Sequence, residues 1–374
     1  MQLLSPTFAY QFKCVADKCS YSCCRDWSIF FNETELMKFK QYGINDIDTL
    51  SRQLEPGKYE MKCNSNGKCP YLEESGLCRM ITTCDNDEVL CNTCQTFPRI
   101  IKPRKDYIEY TLSNACPAVI DILNNTPSPI TFELIDYDDS IKTTGCFSHN
   151  LISCRDTMVD LMQISDFPIW MRLYIIYSFA TKVKKLDGSN FDSIIMQYNS
   201  VDYLIEMYQQ LLSFNINIPT KLQLLTDYLA ISHDKKSTKS HEVVYAKLYK
   251  NVLKYDIDYL SEKFLQYEEV FSKHSSLMEN IAVNDLFRNI NCENQNDMYY
   301  SAILLIIMMS LIKFTSFLKW LDSDNNNCDT LDYNIIVYFA RRFEHISFTN
   351  LKKQAIEFEK NKLLDPGNIF TLIR

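Results

Sequence analysis

Residues 12–27 read FKCVADKCSYSCCRDW, and this cysteine-rich stretch sets the character of the first third of the chain. Eleven of the 15 cysteines lie within the first 116 residues. Disulfides, a thiolate metal site or redox-active thiols would each explain such a cluster. The cysteines of this cluster are Cys14, Cys19, Cys23, Cys24, Cys63, Cys69, Cys78, Cys84, Cys91, Cys94 and Cys116.

Disulfides are the least favoured explanation, because they persist in oxidising compartments. The start, MQLLSPTFAYQFKC, has neither the basic segment nor the apolar run of a signal peptide. An odd number of cysteines also leaves at least one thiol unpaired. We therefore expect a cytoplasmic protein with a metal site. The four later cysteines, which we expect to be buried in the core, are Cys146, Cys154, Cys292 and Cys328.

Charge and glycine content exclude several classes of function. The net charge is −8, from 39 basic and 47 acidic residues, which argues against a nucleic-acid-binding surface. The short basic run from Arg99 to Lys105 is interpreted as a solvated loop. Only 7 glycines occur, and none are spaced as G-x-G. The Rossmann and P-loop fingerprints are therefore absent.

Local patterns predict two structural elements in the first 125 residues. Asn32, followed three residues later by Glu35, indicates a capped helix over residues 33–42. The alternating stretch YIEYTL at residues 107–112 predicts a β-strand. Turn residues are frequent elsewhere in this region, so we expect short strands and few helices around the cysteines.

Beyond residue 150 the pattern is helical, because apolar residues recur at spacings of three and four. We therefore predict a mainly α protein, in which a cysteine-rich metal-binding module at 1–125 packs on an irregular α-helical bundle at 150–374. The predicted helices are 151–164, 168–185, 201–213, 220–232, 240–254, 257–271, 298–321 and 331–343.

The most apolar segment is YYSAILLIIMMSLI at residues 299–312. It is shorter than the roughly 20 residues that a membrane-spanning helix needs. A buried central helix is therefore predicted, with peripheral membrane association as the alternative. Further on, Arg341, Arg342, Glu344 and His345 form a polar cluster that is most simply an exposed helix face, with a substrate or cofactor contact as the alternative.

The spacing of the cysteines favours an iron–sulfur cluster and leaves zinc open. Zinc modules commonly use two C-x2-C knuckles, whereas this chain has one, from Cys91 to Cys94. Uneven spacing and the Cys116-Pro117 dipeptide are compatible with cluster ligation. The C-x3-C-x2-C spacing of ordinary radical enzymes is absent, because Cys24 directly follows Cys23.

Four segments resemble the flagellin lysine-N-methylase (FliB-type) family, within the wider cysteine-rich iron- or zinc-chelating families. They are FKCVADKCSYSCCRDWSIFFNETE at 12–35, CPYLEESGLCRM at 69–80, CNTCQTFPRI at 91–100 and LSNACPAVIDIL at 112–123. The resemblance implies a [4Fe–4S] cluster and S-adenosylmethionine-dependent methylation of lysines on flagellin, the protein partner.

The resemblance also implies site residues. Its metal ligands would come from eight matching cysteines, among which Cys19, Cys23, Cys69 and Cys78 are favoured. The matching Phe97-Pro98-Arg99 turn is interpreted first as a rigid, packed turn beside the metal, with binding of the S-adenosylmethionine carboxylate by Arg99 as the alternative. The catalytic base stays open, and two other functions remain: a non-enzymatic metal-chelating module and a zinc-stabilised protein-binding scaffold. The eight cysteines are Cys14, Cys19, Cys23, Cys24, Cys69, Cys78, Cys94 and Cys116.

Overall fold

The computed structural model describes the chain except residues 1, 137–147, 188–189, 233–249, 251–253, 323–330 and 345–346. The described part is mainly helical with two small sheets, which confirms the predicted fold class.

A small unit with its own hydrophobic core contains most of the cysteines. Its three-stranded antiparallel sheet has the order β2-β4-β3, and its core includes Phe31, Phe39 and Tyr71. The elements are β2 (Phe30–Asn32), α1 (Glu33–Gln41), α2 (Ile47–Leu50), β3 (Ser51–Glu55), β4 (Lys58–Met61), α3 (Arg79–Cys84) and α4 (Asn92–Thr96).

The predicted helix near residue 33 is confirmed as α1. The Asn32 side chain accepts a hydrogen bond from the Glu35 backbone at 3.0 Å, and the Glu35 carboxylate accepts one from the Asn32 backbone at 2.8 Å. This reciprocal capping box gives hydrogen-bond acceptors to two backbone N–H groups that would otherwise have none in the first turn of the helix.

A four-stranded sheet joins the chain's beginning to its helical part. Its strand order is β5-β6-β1-β7, with β1 parallel to β6 and antiparallel to β7. The predicted strand at 107–112 is confirmed as β6 at both ends. Leu112 and Val119 pack in the same core as the helices. The elements are β1 (Gln2–Pro6), β5 (Arg99–Pro103), β6 (Tyr107–Leu112), α5 (Pro117–Asn125) and β7 (Phe132–Asp136).

The helical part confirms seven of the eight predicted helices within a few residues at each end. The prediction for 240–254 lies outside the described residues except at 250 and 254. Helices α8, α12, α15 and α16 were not predicted. The elements are α6 (His149–Met162), α7 (Ile169–Lys184), α8 (Phe191–Tyr198), α9 (Val201–Leu212), α10 (Ile218–Ser232), α11 (Ile257–Ser272), α12 (Ser275–Asn289), α13 (Gln295–Asp322), α14 (Tyr333–Glu344), α15 (Phe348–Lys360) and α16 (Pro366–Ile373).

Helix α13 is the centre of the bundle and confirms the predicted buried helix. It has 28 residues and packs against α7, α10, α11, α12, α14, α15 and α16. Its length and apolar composition would suffice for a membrane crossing, but 94% of its most apolar window is buried inside the protein. Such burial is what a core helix requires, because its apolar surface already faces other helices.

Candidate metal centre and adjoining cleft

The adjacent pair Cys23-Cys24 lies where several cysteine-bearing segments meet. The Cys69 backbone donates a hydrogen bond to the Cys24 carbonyl at 2.9 Å, and Arg25 pairs with Lys68 in an antiparallel bridge. Burial raises the pKa of Cys69 to about 12, and the neighbouring thiols of Cys24 and Cys78 raise it further. These three cysteines are therefore neighbours although they are distant in sequence.

The remaining cysteines that match the family approach the same pair. The Cys94 thiol donates a hydrogen bond to Cys91, and this bond, burial and the nearby charges of Cys24 and Cys23 raise the pKa of Cys94. On the other side, burial raises the pKa of Cys116 to about 11, with further contributions from Cys19 and Cys14. Cys116 in turn influences Cys23. The structure thus brings all eight predicted cysteines into one region.

Arg341, from α14, holds this region to the helical bundle. Its guanidinium donates hydrogen bonds to the carbonyls of Tyr21 at 2.8 Å, Ser22 and Arg25 at 3.1 Å, and Ala115 at 3.2 Å. It also lies 4.1 Å from the centre of the Tyr21 ring. One side chain therefore fixes both the loop of Cys23-Cys24 and the loop that leads to Cys116.

The interpretation of Arg341 as part of an exposed helix face is wrong. Its exposed fraction is 4%, because the inward face of α14 packs against the cysteine loops and the open carbonyls there solvate its charge. The positive charge favours the thiolate forms of Cys19, Cys23 and Cys24. The last residue of the polar cluster, His345, lies outside the described residues.

Cys23 and Cys24 differ sharply in acidity although they are adjacent. A hydrogen bond donated by the Cys23 thiol lowers the pKa of Cys24 to about 7, with help from Ser22 and Arg341. The same bond raises the pKa of Cys23. One thiolate next to a cationic guanidinium is a chemically suitable soft ligand for iron or zinc.

The donor chemistry of this region fits a thiolate-bound metal. All cysteines in the described ranges are free thiols, so none is committed to a disulfide. Among those same residues, no group of three or more histidine, cysteine, aspartate or glutamate side chains already has the arrangement of a metal site. The thiols are thus free and gathered in one region.

Arg99 lies at the edge of the cysteine region. It begins β5, is exposed, and stacks on the Phe12 ring with its guanidinium 5.1 Å from the ring centre. The preceding Phe97-Pro98 peptide is cis, and the Phe97 ring packs against Trp27 at 5.1 Å between ring centres. Its binding to a cofactor carboxylate stays a prediction.

The solvated-loop interpretation of the basic run at 99–105 is wrong. Residues 99–103 form β5, which pairs with β6, and Arg104 has an exposed fraction of only 4%. Arg104 Nη2 lies 2.6 Å from Glu109, which also receives Arg155 Nη1 at 2.5 Å. Arg104, directly after the strand, is therefore buried in an ion pair that compensates for the removal of its charge from water.

A cleft of about 440 Å³ opens beside β5. Its walls come from β5, from α12 and the segment after it, and from α13, α14 and α15. Leu304, Leu305 and Met308 make one side apolar. The charged lining residues are Lys102, Arg104, Asp285, Glu293 and Glu344.

Glu344 is a carboxylate of the cleft whose pKa is strongly raised. Burial raises its pKa to about 7, although Arg288 and a hydrogen bond from Ser113 lower it. Its Oε1 atom lies 2.6 Å from Arg288 Nη2, but in the described residues this atom accepts no hydrogen bond of acceptable geometry. Glu344 is therefore a buried carboxylate beside a guanidinium, and burial brings its pKa close to neutral pH.

Lys102 and Asp285 complete the charged wall. Burial lowers the pKa of Lys102 to about 8, and the nearby Arg288 guanidinium lowers it further. The Lys102 ammonium donates to the Arg288 carbonyl. Burial raises the pKa of Asp285. Several groups in this cleft therefore change protonation closer to neutral pH than they would in water.

The cleft and the cysteine region share a loop and a helix. Ser113 and the Ala115 amide donate to Glu344, whereas the Ala115 carbonyl accepts from Arg341. Arg341 and Glu344 are one helical turn apart on α14, and Cys116 follows Ala115. A partial signal for this arrangement is present in the sequence, because charged residues at 341–344 lie in an otherwise apolar helix.

Comparison with known proteins identifies the family. Residues 155–372, more than half of the chain, match the description "FliB lysine N-methylase C-terminal domain". The chain belongs to the FliB lysine N-methylase family. This confirms the resemblance that was proposed from the cysteine-bearing segments, which lie outside that matched range.

Three Salmonella relatives extend the comparison. The flagellar biosynthetic protein FliU of Salmonella muenchen is 33% identical over 130 residues, which cover 33% of this chain and 76% of that protein. A lysine-N-methylase of Salmonella typhimurium and another of Salmonella choleraesuis are each 32% identical over 130 residues, with 33% of this chain covered. The chain spans about a third of the length of these two methylases. No solved structure matches the chain.

Proposed function

We propose that this protein is a protein lysine N-methyltransferase that uses S-adenosylmethionine, acts on flagellin in the cytoplasm and carries a [4Fe–4S] cluster. Membership of the FliB lysine N-methylase family supports the methyltransferase activity. The observation that carries the proposal is the cleft, in which buried carboxylates stand next to an apolar wall and adjoin the cysteine region.

The cleft residues suit the demands of amine methylation. A lysine ammonium has no lone pair, so the enzyme must remove its proton before the nitrogen can attack a methyl carbon. The apolar wall of Leu304, Leu305 and Met308 lowers the pKa of a bound amine by desolvation. Glu344 is the group that accepts the proton, because its own pKa is about 7.

The charges of the cleft also suit the methyl donor. S-adenosylmethionine supplies an activated methyl group on a cationic sulfur and carries an amino-acid end with a carboxylate. Asp285 and Glu344 would favour the cationic part, whereas Lys102 and Arg104 would bind the carboxylate. Arg99 lies on the same strand, two residues before Ile101 of the cleft, and is a second candidate for that carboxylate.

For the cluster, we propose Cys24, Cys69, Cys78 and Cys94 as the principal ligands. The set is built on Cys24, whose backbone carbonyl accepts a hydrogen bond from Cys69 and whose charge acts on Cys69, Cys78 and Cys94. It revises the four that the resemblance favoured, because neither Cys19 nor Cys23 acts on Cys69 and Cys78 in this way. When bound, the cluster would supply redox chemistry or structural support to the region held by Arg341.

The decisive experiment combines protein purified without oxygen, flagellin and methyl-labelled S-adenosylmethionine. Mass spectrometry of the flagellin should locate methyl groups on lysine side chains. Glu344→Gln should lower the rate about 10²- to 10⁴-fold, the usual loss for a general base. Glu357→Gln, an exposed glutamate on α15, is the matched control and should keep full activity.

Two outcomes would contradict the proposal. If folded, metal-loaded protein leaves flagellin unmethylated, the protein is not a flagellin methyltransferase. The remaining functions are then a metal-chelating module and a protein-binding scaffold. If Glu344→Gln keeps full activity, the protein is still a methyltransferase, but a group other than Glu344 accepts the proton.

A further inference from the structure

A second cavity, remote from the cysteines, contains a buried lysine. The cavity measures about 170 Å³ and lies between α7, α10, α11, α12, α13 and the final residues of the chain. Lys221, on α10, lines it with an exposed fraction of 1%. The cavity reaches the surface beside Ser272 and Ser275, which are exposed. A small molecule therefore has an entrance to the amine.

The positive charge of Lys221 is only partly compensated by its surroundings. Its Nζ atom lies 3.8 Å from Oε1 of Glu268, whereas Lys313 pairs with Oε2 of the same carboxylate. Arg374 adds a third positive charge to the lining. Phe264 and Phe314 make much of the remaining wall apolar. Two lysines thus share one carboxylate inside a largely apolar cavity, so one of them is poorly compensated.

The less exposed of the two lysines is the one that loses its proton. Burial lowers the pKa of Lys221 to about 7, Lys313 lowers it further, and Glu268 opposes the change. Desolvation and a neighbouring cation are the two devices that turn a lysine into a nucleophile at neutral pH.

We propose that Lys221 is a nucleophilic amine that forms an imine with a small α-keto acid. The nitrogen lone pair attacks the carbonyl carbon, and the C–N bond forms while the carbonyl oxygen takes a proton. Loss of water from this adduct gives the C=N bond, so no oxidant or reductant is needed. Lys313 and Arg374 bind the carboxylate, and Glu268 passes the protons.

The proposal is independent of methyl transfer and has a direct chemical test. The full-length protein is incubated with pyruvate and sodium cyanoborohydride, which reduces an imine to a stable secondary amine. Intact mass should show one added group, and peptide mapping should place it on Lys221. Labelling should be half-maximal near pH 7, where half of the amine is neutral.

Variants separate a reactive amine from a structural one. Lys221→Met should abolish the single adduct, whereas Lys353→Met, which changes an exposed lysine on α15, should leave it unchanged. Lys313→Gln removes a like charge and raises the pKa of Lys221, so a rise of one pKa unit should lower labelling at pH 7 about fivefold. Higher pH should restore this part of the labelling, and the part that stays lost reports the contact of Lys313 with the carboxylate.

Three results would overturn the proposal. They are equal labelling of many surface lysines, an unlabelled Lys221 in folded protein, and pyruvate that binds the cavity without forming a reducible adduct. Circular dichroism of each variant establishes that the protein under test is folded.

Discussion

Replacing Arg341 with methionine is the sharpest perturbation of the link between the cysteine region and the bundle. The substitution keeps an unbranched side chain of similar reach and removes the guanidinium. Four backbone carbonyls then lose their donor, namely those of Tyr21, Ser22, Arg25 and Ala115. The stacking contact with the Tyr21 ring is lost as well.

The expected cost follows from these contacts. A hydrogen bond to a charged group contributes about 1.5–3 kcal/mol, but water reaches some of the freed carbonyls and the cost of burying the charge disappears. We therefore count about 1 kcal/mol for each carbonyl, which gives about 4 kcal/mol. Arg341→Lys keeps the charge but not the planar fork, so about half of that loss is expected.

Urea-induced unfolding measures the loss, and amide hydrogen exchange shows where it acts. Exchange should accelerate at residues 21–25 and 113–116 and stay unchanged in the centre of α13. Arg342→Met is the matched control on the same helix, because within the described residues Arg342 Nε makes no hydrogen bond to the cysteine loops. It should leave amide exchange at residues 21–25 and 113–116 unchanged. Equal stability and equal exchange for the two variants would refute this role of Arg341.

Other predictions concern buried charges, pH and metal. Glu109→Gln should destabilise the fold by about 3–5 kcal/mol in urea unfolding, because two arginines lose their shared carboxylate. Lys221→Met should stabilise the fold by up to roughly 5 kcal/mol at pH 7, since the native pKa is about 7 against 10.5 for the free lysine. Wild-type stability then rises between those pH values, so the advantage of the variant should disappear by about pH 10.5. The methyl-transfer rate should rise with pH through about 7 as Glu344 loses its proton, and a flat profile would contradict its role. Cys24→Ser should lose bound iron, whereas Cys154→Ser, a buried core thiol, should retain it.

Local signals explain which elements the sequence predicted. The capping box at Asn32 and Glu35 and the alternation of 107–112 act within a few residues, and both elements were confirmed. Strand β1 was missed because its five residues QLLSP include a proline, and it pairs with segments more than 100 residues away. The residues that neighbour β1 in sequence contain no pattern that predicts those pairing partners.

Helix α12 was missed for a different reason. It buries polar side chains where a periodic pattern expects apolar ones, including Asn280 and Asn284. The Asn280 amide donates to the carbonyls of Leu123 and Thr126, and the Asn284 amide donates to the Leu112 carbonyl. These partners satisfy the buried amides, but they come from a distant part of the chain. Periodicity alone therefore hides this helix.

In the candidate site, too, some residues were predicted from the sequence and others were not. The cysteines were evident because thiol clustering in a sequence is unusual and chemically specific. Arg341, Lys102 and Glu344 were interpreted as exposed, because charged residues seldom lie in a core. Their burial depends on carbonyls and counter-charges that only the folded chain brings together.

Metal analysis of protein purified without oxygen distinguishes a [4Fe–4S] cluster from a zinc site. We expect a brown protein with about four iron and four sulfide per chain, as a [4Fe–4S] cluster requires, and a Cys24→Ser variant that loses them. A colourless protein with stoichiometric zinc and no sulfide would contradict the cluster, and the cysteine region would then be a zinc-stabilised scaffold.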